Sequence, residues 1–139
     1  MRSILIMVMA FSFSMAETTI LNDPATNLMW EDTKHAEDGQ VTYLEANSYC
    51  KALKLGGHND WRVPTLKELL TIVDYTRNEP ATLKEFKRVD QDKLYWSTTE
   101  YTNKSTEFWG VVFENGETDN ASAIYDRRVR CVRAVKAVK

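Results

Sequence analysis

The spacing of apolar residues predicts an amphipathic helix that begins after Thr42. Apolar positions recur there at intervals of three and four residues, as they do on one face of a helix. These positions are Ala46, Tyr49, Cys50 and Leu53. Thr42 and Glu45 have the spacing of a capping box, and Gly56 and Gly57 follow as residues that end helices. The pattern therefore places Cys50 on the buried face of this helix.

A second helix is predicted after Pro64, where the same signals return. Thr65 and Glu68 form another capping pair, and proline is favoured at the start of a helix. The apolar residues of the second helical face are Leu66, Leu69, Leu70 and Val73.

Short runs of strand-forming residues predict a sheet. Residues 19–21 and 28–30 form an early hairpin around a turn that begins at Asp23-Pro24. Late strands are predicted at residues 95–99, 108–113 and 128–135. Asn115-Gly116 favours a tight hairpin turn after the second of these strands.

Two polar stretches of the chain are predicted to be loops. Residues 31–40 have few apolar positions, so we expect a surface loop there. Residues 74–93 are charged and contain Pro80, and long excursions of this kind are usually functional or mobile. His35 and His58 are both expected in loops, because neither is part of a nucleophile or metal-ligand pattern.

Residues 1–16 have the pattern of a secretory signal peptide, with Arg2 before an apolar run and Ala16 at its end. An uncleaved N-terminal anchor is the alternative, although the apolar run is shorter than the roughly 20 residues of a membrane span. The mature domain would comprise residues 17–139, without a membrane span. The formal net charge of −2 gives no sign of a nucleic-acid partner.

Cys50 and Cys131 are the two cysteines of the chain, and both lie in the part expected to be exported. Thiols tend to pair in an oxidising compartment, so we expect one disulfide. Two separate buried thiols are the alternative, and a redox role is disfavoured because there is no Cys-x-x-Cys spacing. In the last predicted strand, alternation places Cys131 and Arg133 on one face and Arg128 and Arg130 on the other. If Cys131 points inward to Cys50, Arg128 and Arg130 therefore face away from the interior.

The order of these elements resembles the C-type lectin-like fold. In that α+β fold, two helices pack on a small twisted antiparallel sheet and a long loop region carries the ligand site. A disulfide joins its first helix to its last strand, and the resemblance implies the same bridge here. The calcium-binding Glu-Pro-Asn motif of true C-type lectins is missing, and Ala81 in Glu79-Pro80-Ala81 offers no oxygen ligand. We therefore expect no metal ligand and no cofactor.

Four segments resemble the Lcl C-terminal domain family of bacteria more closely. They are residues 23–30, 60–65 with Glu68 and Leu69, 95–99, and 129–133. The family is named after the tip of a collagen-like adhesin. That namesake looks like a surface protein that binds sulfated polysaccharides and forms a trimer through its collagen stalk. This chain has no Gly-x-y repeat, so trimerisation through a stalk is not implied and the oligomeric state stays open. Because the chain is net acidic, anion binding would depend on the C-terminal arginines.

Aromatic residues in or beside loops are the best candidates for ligand contacts. Trp61 and Trp96 lie within strong patterns and are assigned to the core, while Asp60 and Arg62 are expected to fix the loop around Trp61 by hydrogen bonds. The candidate contact residues are Tyr75, Arg77, Tyr101, Asp119, Asn120, Tyr125 and Arg127. No catalytic residue is predicted.

The sequence thus predicts an exported, non-enzymatic binding module, periplasmic or on the cell surface, for a glycan, a surface polysaccharide or another surface ligand. An accessory or scaffold role beside an envelope protein is the first alternative. The second is an enzyme related to formylglycine-generating enzymes, which share a lectin-like core. That activity depends on a reactive cysteine, and here both cysteines are expected in the disulfide.

Overall fold

The early hairpin is the first element of the protein, for which a computed structural model describes residues 19–136. Strand β1 (Ile20–Asp23) pairs antiparallel with β2 (Leu28–Glu31), as predicted. The carboxylate of Asp23 closes the turn by accepting hydrogen bonds from the Ala25 N–H and the Thr26 hydroxyl. The predicted signal peptide, residues 1–16, lies outside the described residues, as do residues 17, 18 and 137–139.

Residues 19–136 contain three helices. They are α1 (Lys34–Asp38), α2 (Tyr43–Ala52) and α3 (Leu66–Leu70). The capping boxes at Thr42 and Thr65 are both present, so both predicted helix starts are confirmed. Helix α3 is shorter than its apolar pattern, because Val73 lies beyond its end and pairs with Thr82 in an isolated bridge.

The prediction of a surface loop at residues 31–40 was wrong. Glu31 and Asp32 are buried, and Thr33 caps helix α1 by accepting a hydrogen bond from the Ala36 N–H. His35 lies in this helix, with its ring stacked on Tyr49, and is therefore not a loop residue. Hydrogen bonds from distant segments offset the energetic cost of burying the two carboxylates. The spacing of apolar residues along the chain does not indicate such distant partners. His58 lies in the turn after α2, as predicted.

The late strands form a second sheet. Its strands are β3 (Leu94–Tyr101), β4 (Lys104–Val112) and β5 (Glu117–Ser122), paired antiparallel in that order. The turn at Asn115 and Gly116 connects β4 to β5, as predicted. The last strand, β6 (Val132–Ala134), joins β2 in the first sheet instead. The protein therefore has two three-stranded antiparallel sheets in place of the single small sheet that was predicted.

The predicted strand at residues 128–135 is shortened because this segment passes from one sheet to the other. Arg128 bridges Tyr95 at the edge of the second sheet, through backbone hydrogen bonds with Leu94 and Trp96. The carbonyl of Cys131 then accepts a hydrogen bond from the Glu31 N–H of the first sheet. We call residues 128–131 the crossing segment.

Two clusters of buried side chains form the core. The first cluster includes Trp30, Leu69, Ile72, Tyr95 and Phe113. The second includes Cys50, Trp61, Trp96, Phe108 and Cys131. Along β4, Phe108 belongs to the second cluster and Val111 to the first, as strand alternation requires when both faces of a sheet are covered. The core assignment of Trp61 and Trp96 is confirmed.

A disulfide joins Cys50 of helix α2 to Cys131 of the crossing segment, with an S–S distance of 2.06 Å. Both cysteines are fully buried. The predicted pairing is confirmed, and it ties α2 to the segment that connects the two sheets.

Replacing Gly110 with alanine is expected to destabilise the second sheet. A Cβ atom at this position would lie 2.3 Å from the carbonyl oxygen of Tyr95 and 2.5 Å from Cδ2 of Leu94. Overpacking of this kind costs about 1–3 kcal/mol of the free energy of unfolding. Urea denaturation of the Gly110→Ala variant measures this loss. Thr118→Ala, at an exposed position of β5, is the control, and an equal loss in both variants would contradict the steric argument.

Candidate functional site

Most of the C-terminal arginines are structural and do not form a free basic surface. Arg128, Arg130 and Arg133 are buried and form ion pairs with Asp90, Asp32 and Asp60 respectively. The expectation that Arg128 and Arg130 face away from the interior was wrong, because both faces of the crossing segment are covered. These three side chains are therefore not available to a sulfated or other anionic ligand.

The loop around Trp61 is fixed by two ion pairs, as predicted for Asp60 and Arg62. Arg133 donates to both carboxylate oxygens of Asp60, and Arg62 donates to both oxygens of Glu68. The hydrogen bond from Arg133 lowers the pKa of Asp60, and that from Arg62 lowers the pKa of Glu68. These carboxylates are thus held in their ionised form by structural partners.

A buried polar network around Asp32 holds the second half of the 74–93 excursion. The carboxylate of Asp32 accepts hydrogen bonds from the N–H groups of Lys87 and Arg88 and from Nη1 of Arg130. Arg130 also donates to the carbonyls of Glu31 and Arg88. This part of the excursion is therefore anchored to the first sheet.

The carboxylate of Glu31 forms a second part of this network. It accepts hydrogen bonds from the hydroxyls of Thr33 and Tyr49 and from the Cys131 N–H. Burial raises the pKa of Tyr49 well above its ordinary value, and the negative charge of Glu31 adds to this effect. The Tyr49 hydroxyl thus keeps its proton and donates it in the hydrogen bond to Glu31, so its role is structural.

A polar groove of about 290 Å³ lies across the second sheet. Its lining residues are Asp92, Lys93, Leu94, Val112, Asp119, Asn120 and Arg127. Gly110 pairs with Asp119 in the sheet and contributes no side chain there. Three of the predicted contact residues, Asp119, Asn120 and Arg127, are therefore brought together. The groove presents the carboxylate of Asp119 and the guanidinium of Arg127 beside Leu94 and Val112. Asn120 follows Asp119 in β5, so its side chain points to the opposite face of the sheet.

An exposed apolar patch lies next to Arg127. The side chains of Leu44, Ile124 and Tyr125 are 76%, 77% and 55% exposed. The Tyr43 N–H donates to the carbonyl of Ala123, which places the start of α2 beside the turn after β5. The guanidinium of Arg127 lies 5.4 Å from the ring centroid of Tyr125 and connects the patch to the groove.

We call this combined area the Tyr125 surface. It comprises Leu44, Asp119, Asn120, Ile124, Tyr125 and Arg127. Arg127 differs from the buried arginines, because its guanidinium forms no ion pair within the described part of the chain. Its Nη1 donates a hydrogen bond to the carbonyl of Asp126. Its guanidinium therefore keeps donors for a ligand.

The remaining predicted contact residues do not line the groove. Tyr75 is 71% exposed and lies beside Gly116 of the β4–β5 turn, and Arg77 is exposed in the same loop. Tyr101 stands at the end of β3 with its ring against Trp109, at a centroid distance of 5.0 Å. The seven candidates thus occupy more than one surface.

Leu44 and Ile124 were missed in the sequence. Leu44 lies outside the apolar face of α2, and Ile124 is an apolar residue within a turn, so both broke the local pattern. An apolar residue at a position that the predicted element leaves exposed was the available signal.

Within residues 19–136, no group of three or more histidine, cysteine, aspartate or glutamate side chains is arranged to hold a metal ion. None of the helices in this range is both long and apolar enough to span a membrane.

These features define a small α+β domain closed by one disulfide, with two three-stranded antiparallel sheets and three helices. Residues 19–133 match the family model of the Lcl C-terminal domain, and the chain belongs to this family. The match includes both sheets and the residues of the Tyr125 surface, and it confirms the predicted family. Comparison with curated proteins gave no match.

Proposed function

We propose that the protein is an exported, non-enzymatic binding module of adhesin type that recognises a glycan or another cell-surface ligand through the Tyr125 surface. The observation that carries this proposal is the grouping of Asp119, Asn120 and Arg127 in one groove beside the exposed ring of Tyr125. The family, named after an adhesin domain, supports the same role.

The side chains of the groove suit a ligand rich in hydroxyl groups. Asp119 supplies acceptors and Arg127 supplies donors. Tyr125 offers a rigid ring with an apolar face and a polar end, and tyrosine and arginine are enriched at binding interfaces. A sugar would place its hydroxyls in the groove and its apolar face on the ring.

Two further points support an exported, lectin-like module. The Cys50–Cys131 disulfide is consistent with an oxidising compartment. It joins the first long helix to the segment before the last strand, which is the connection that we expect of the C-type lectin-like fold. We therefore extend the proposal to that fold and to export into the periplasm or onto the cell surface.

An accessory role in an envelope complex is the second candidate, and the exposure of Leu44 and Ile124 favours it. Contiguous apolar residues on a surface often mark protein interfaces. An enzyme of the formylglycine-generating type is less well supported, because Cys50 and Cys131 are joined in the disulfide and a disulfide sulfur is not a free nucleophile.

Alanine substitutions at Tyr125 and Arg127 are expected to weaken ligand binding by about tenfold each, because central tyrosine and arginine contacts often contribute more than about 1 kcal/mol. A glycan array and a pull-down from an envelope extract identify the ligand, and titration of the variants measures the loss. Tyr75→Ala removes another exposed tyrosine and is the matched control.

The outcomes separate the two candidates. A glycan ligand whose binding is lost in Tyr125→Ala and kept in Tyr75→Ala supports the lectin-like module. One stoichiometric protein partner, lost on substitution of Leu44 or Ile124 by serine, supports the scaffold role. A ligand whose binding depends on Tyr75 and not on Tyr125 would contradict the assignment of this surface.

A further inference from the structure

A second recess, outside the Tyr125 surface, opens beside the early hairpin. It has a volume of about 340 Å³ and lies between the β1–β2 turn and residues 83–86. Ligand pockets have volumes of roughly 300–1,000 Å³, so this recess has room for a small molecule. We call it the hairpin cleft. None of the residues that line it lines the groove.

The floor of the hairpin cleft is apolar. It is formed by Leu21, Trp30, Ile72, Leu83 and Phe86. Trp30 and Phe86 meet edge to face, with ring centroids 6.4 Å apart, and both side chains are buried. The N–H of Leu83 donates to the carbonyl of Ile72, which fixes one wall against the end of α3. The cleft is thus preformed by three separate segments of the chain.

Trp30, which lines the cleft, carries an unpaired hydrogen-bond donor. Nε1 of Trp30 is buried and has no hydrogen-bond partner among the described residues. Buried polar groups in folded proteins are almost always paired, and an exception calls for a physical reason. An acceptor atom on a molecule bound against this indole ring would satisfy the donor.

Two carboxylates lie at the mouth of the cleft. Asp23 is held in place by its hydrogen bonds to Ala25 and Thr26, and Glu85 is exposed. Lys84 and Lys87 are close in sequence, but neither lines the cleft. An apolar floor and an acidic mouth favour a ligand that carries a positive charge at one end.

We propose that the hairpin cleft binds a small amphiphilic ammonium compound. Its apolar, ring-sized body lies in the cleft against Leu21, Leu83 and the parts of Trp30 and Phe86 that line it, and its ammonium group lies at Asp23 and Glu85. This site is separate from the Tyr125 surface, so the proposal stands or falls independently of the proposed function.

The test is an NMR titration of the ¹⁵N-labelled protein with tyramine, which has a ring, a phenol oxygen and an ammonium group. We expect saturable shifts of the Trp30 indole N–H and of the amides of Leu21 and Ile72. The neutral analogue para-propylphenol should bind more weakly by up to about fivefold, as expected for a partly exposed charge pair. The anionic analogue hydroxyphenylpropionate should bind more weakly still.

Three variants locate the site. Glu85→Gln should weaken tyramine binding by up to about fivefold and reduce its advantage over para-propylphenol. Leu83→Trp should abolish binding by filling the cleft, with near-UV circular dichroism to check that the fold is intact. Glu114→Gln alters an exposed carboxylate elsewhere and should bind like the wild type.

The proposal is overturned if tyramine causes no saturable shift at Trp30. Equal binding of the neutral or anionic analogue would overturn the assignment of an ammonium ligand. So would unchanged tyramine binding by Leu83→Trp, because the probe would then bind elsewhere.

Discussion

The Asp32→Asn variant is expected to lose about 3–5 kcal/mol of the free energy of unfolding. The amide keeps the size of the side chain but removes the charge that faces Arg130, whose guanidinium is fully buried. A buried charge without its partner is far more costly than a lost surface ion pair. Chemical denaturation at neutral pH, followed by tryptophan fluorescence, measures the loss.

Asp38→Asn is the matched control for this prediction. Asp38 also pairs with a basic residue, Lys34, but both side chains are largely exposed to solvent. Solvent and salt screen such pairs, so the stability of this variant should stay close to that of the wild type. Equal stability of the two variants would show that the Asp32 network does not hold the fold together.

Removal of the disulfide is expected to cost about 4 kcal/mol of the free energy of unfolding. The bridge spans a sequence separation of 81 residues, and cross-links that close long loops restrict the unfolded chain most. The measurement compares denaturation of the wild type with and without reductant. Mass spectrometry of the unreduced protein checks that both sulfurs are bonded.

The Cys50→Ala/Cys131→Ala double variant separates the bridge from other effects of the reductant. Its stability should be low and should not respond to reductant. If reduction leaves the wild type as stable as before, the disulfide is dispensable for the fold. Free thiols in the native protein would contradict the pairing itself.

The sequence predicted those parts of the fold that depend on local signals. The capping boxes at Thr42 and Thr65 and the turn at Asn115-Gly116 each use residues within a few positions, and all three are present. The cysteine pairing was predictable for a different reason, because a chain with two cysteines has one possible connectivity.

The polar residues 31–40 could not be placed correctly from local pattern. Glu31 and Asp32 look like solvent-exposed acids, and their burial depends on Cys131 and Arg130, which lie about a hundred positions further on. Local pattern also misplaced Arg128 and Arg130. Alternation along a strand predicts one buried and one exposed face, and it assigned both arginines to the exposed face. The crossing segment is covered on both faces by two different sheets.

The candidate site was predictable in part. Asp119, Asn120, Tyr125 and Arg127 were selected by residue type and by their position near turns, and the structure places them on a common surface. Leu44 comes to that surface through pairing between the start of α2 and the turn after β5. Such proximity is a tertiary property, and an isolated sequence does not contain a signal for it.

The position of the crossing segment after the first five strands has a consequence for the order of folding. The first sheet lacks its third strand, Asp32 lacks its guanidinium, and Cys50 lacks its sulfur partner until residues 130–134 are available. A polypeptide that emerges N-terminus first therefore cannot complete this domain before residues 130–134 have emerged. Formation of the first sheet and pairing of the two cysteines wait for the same short segment.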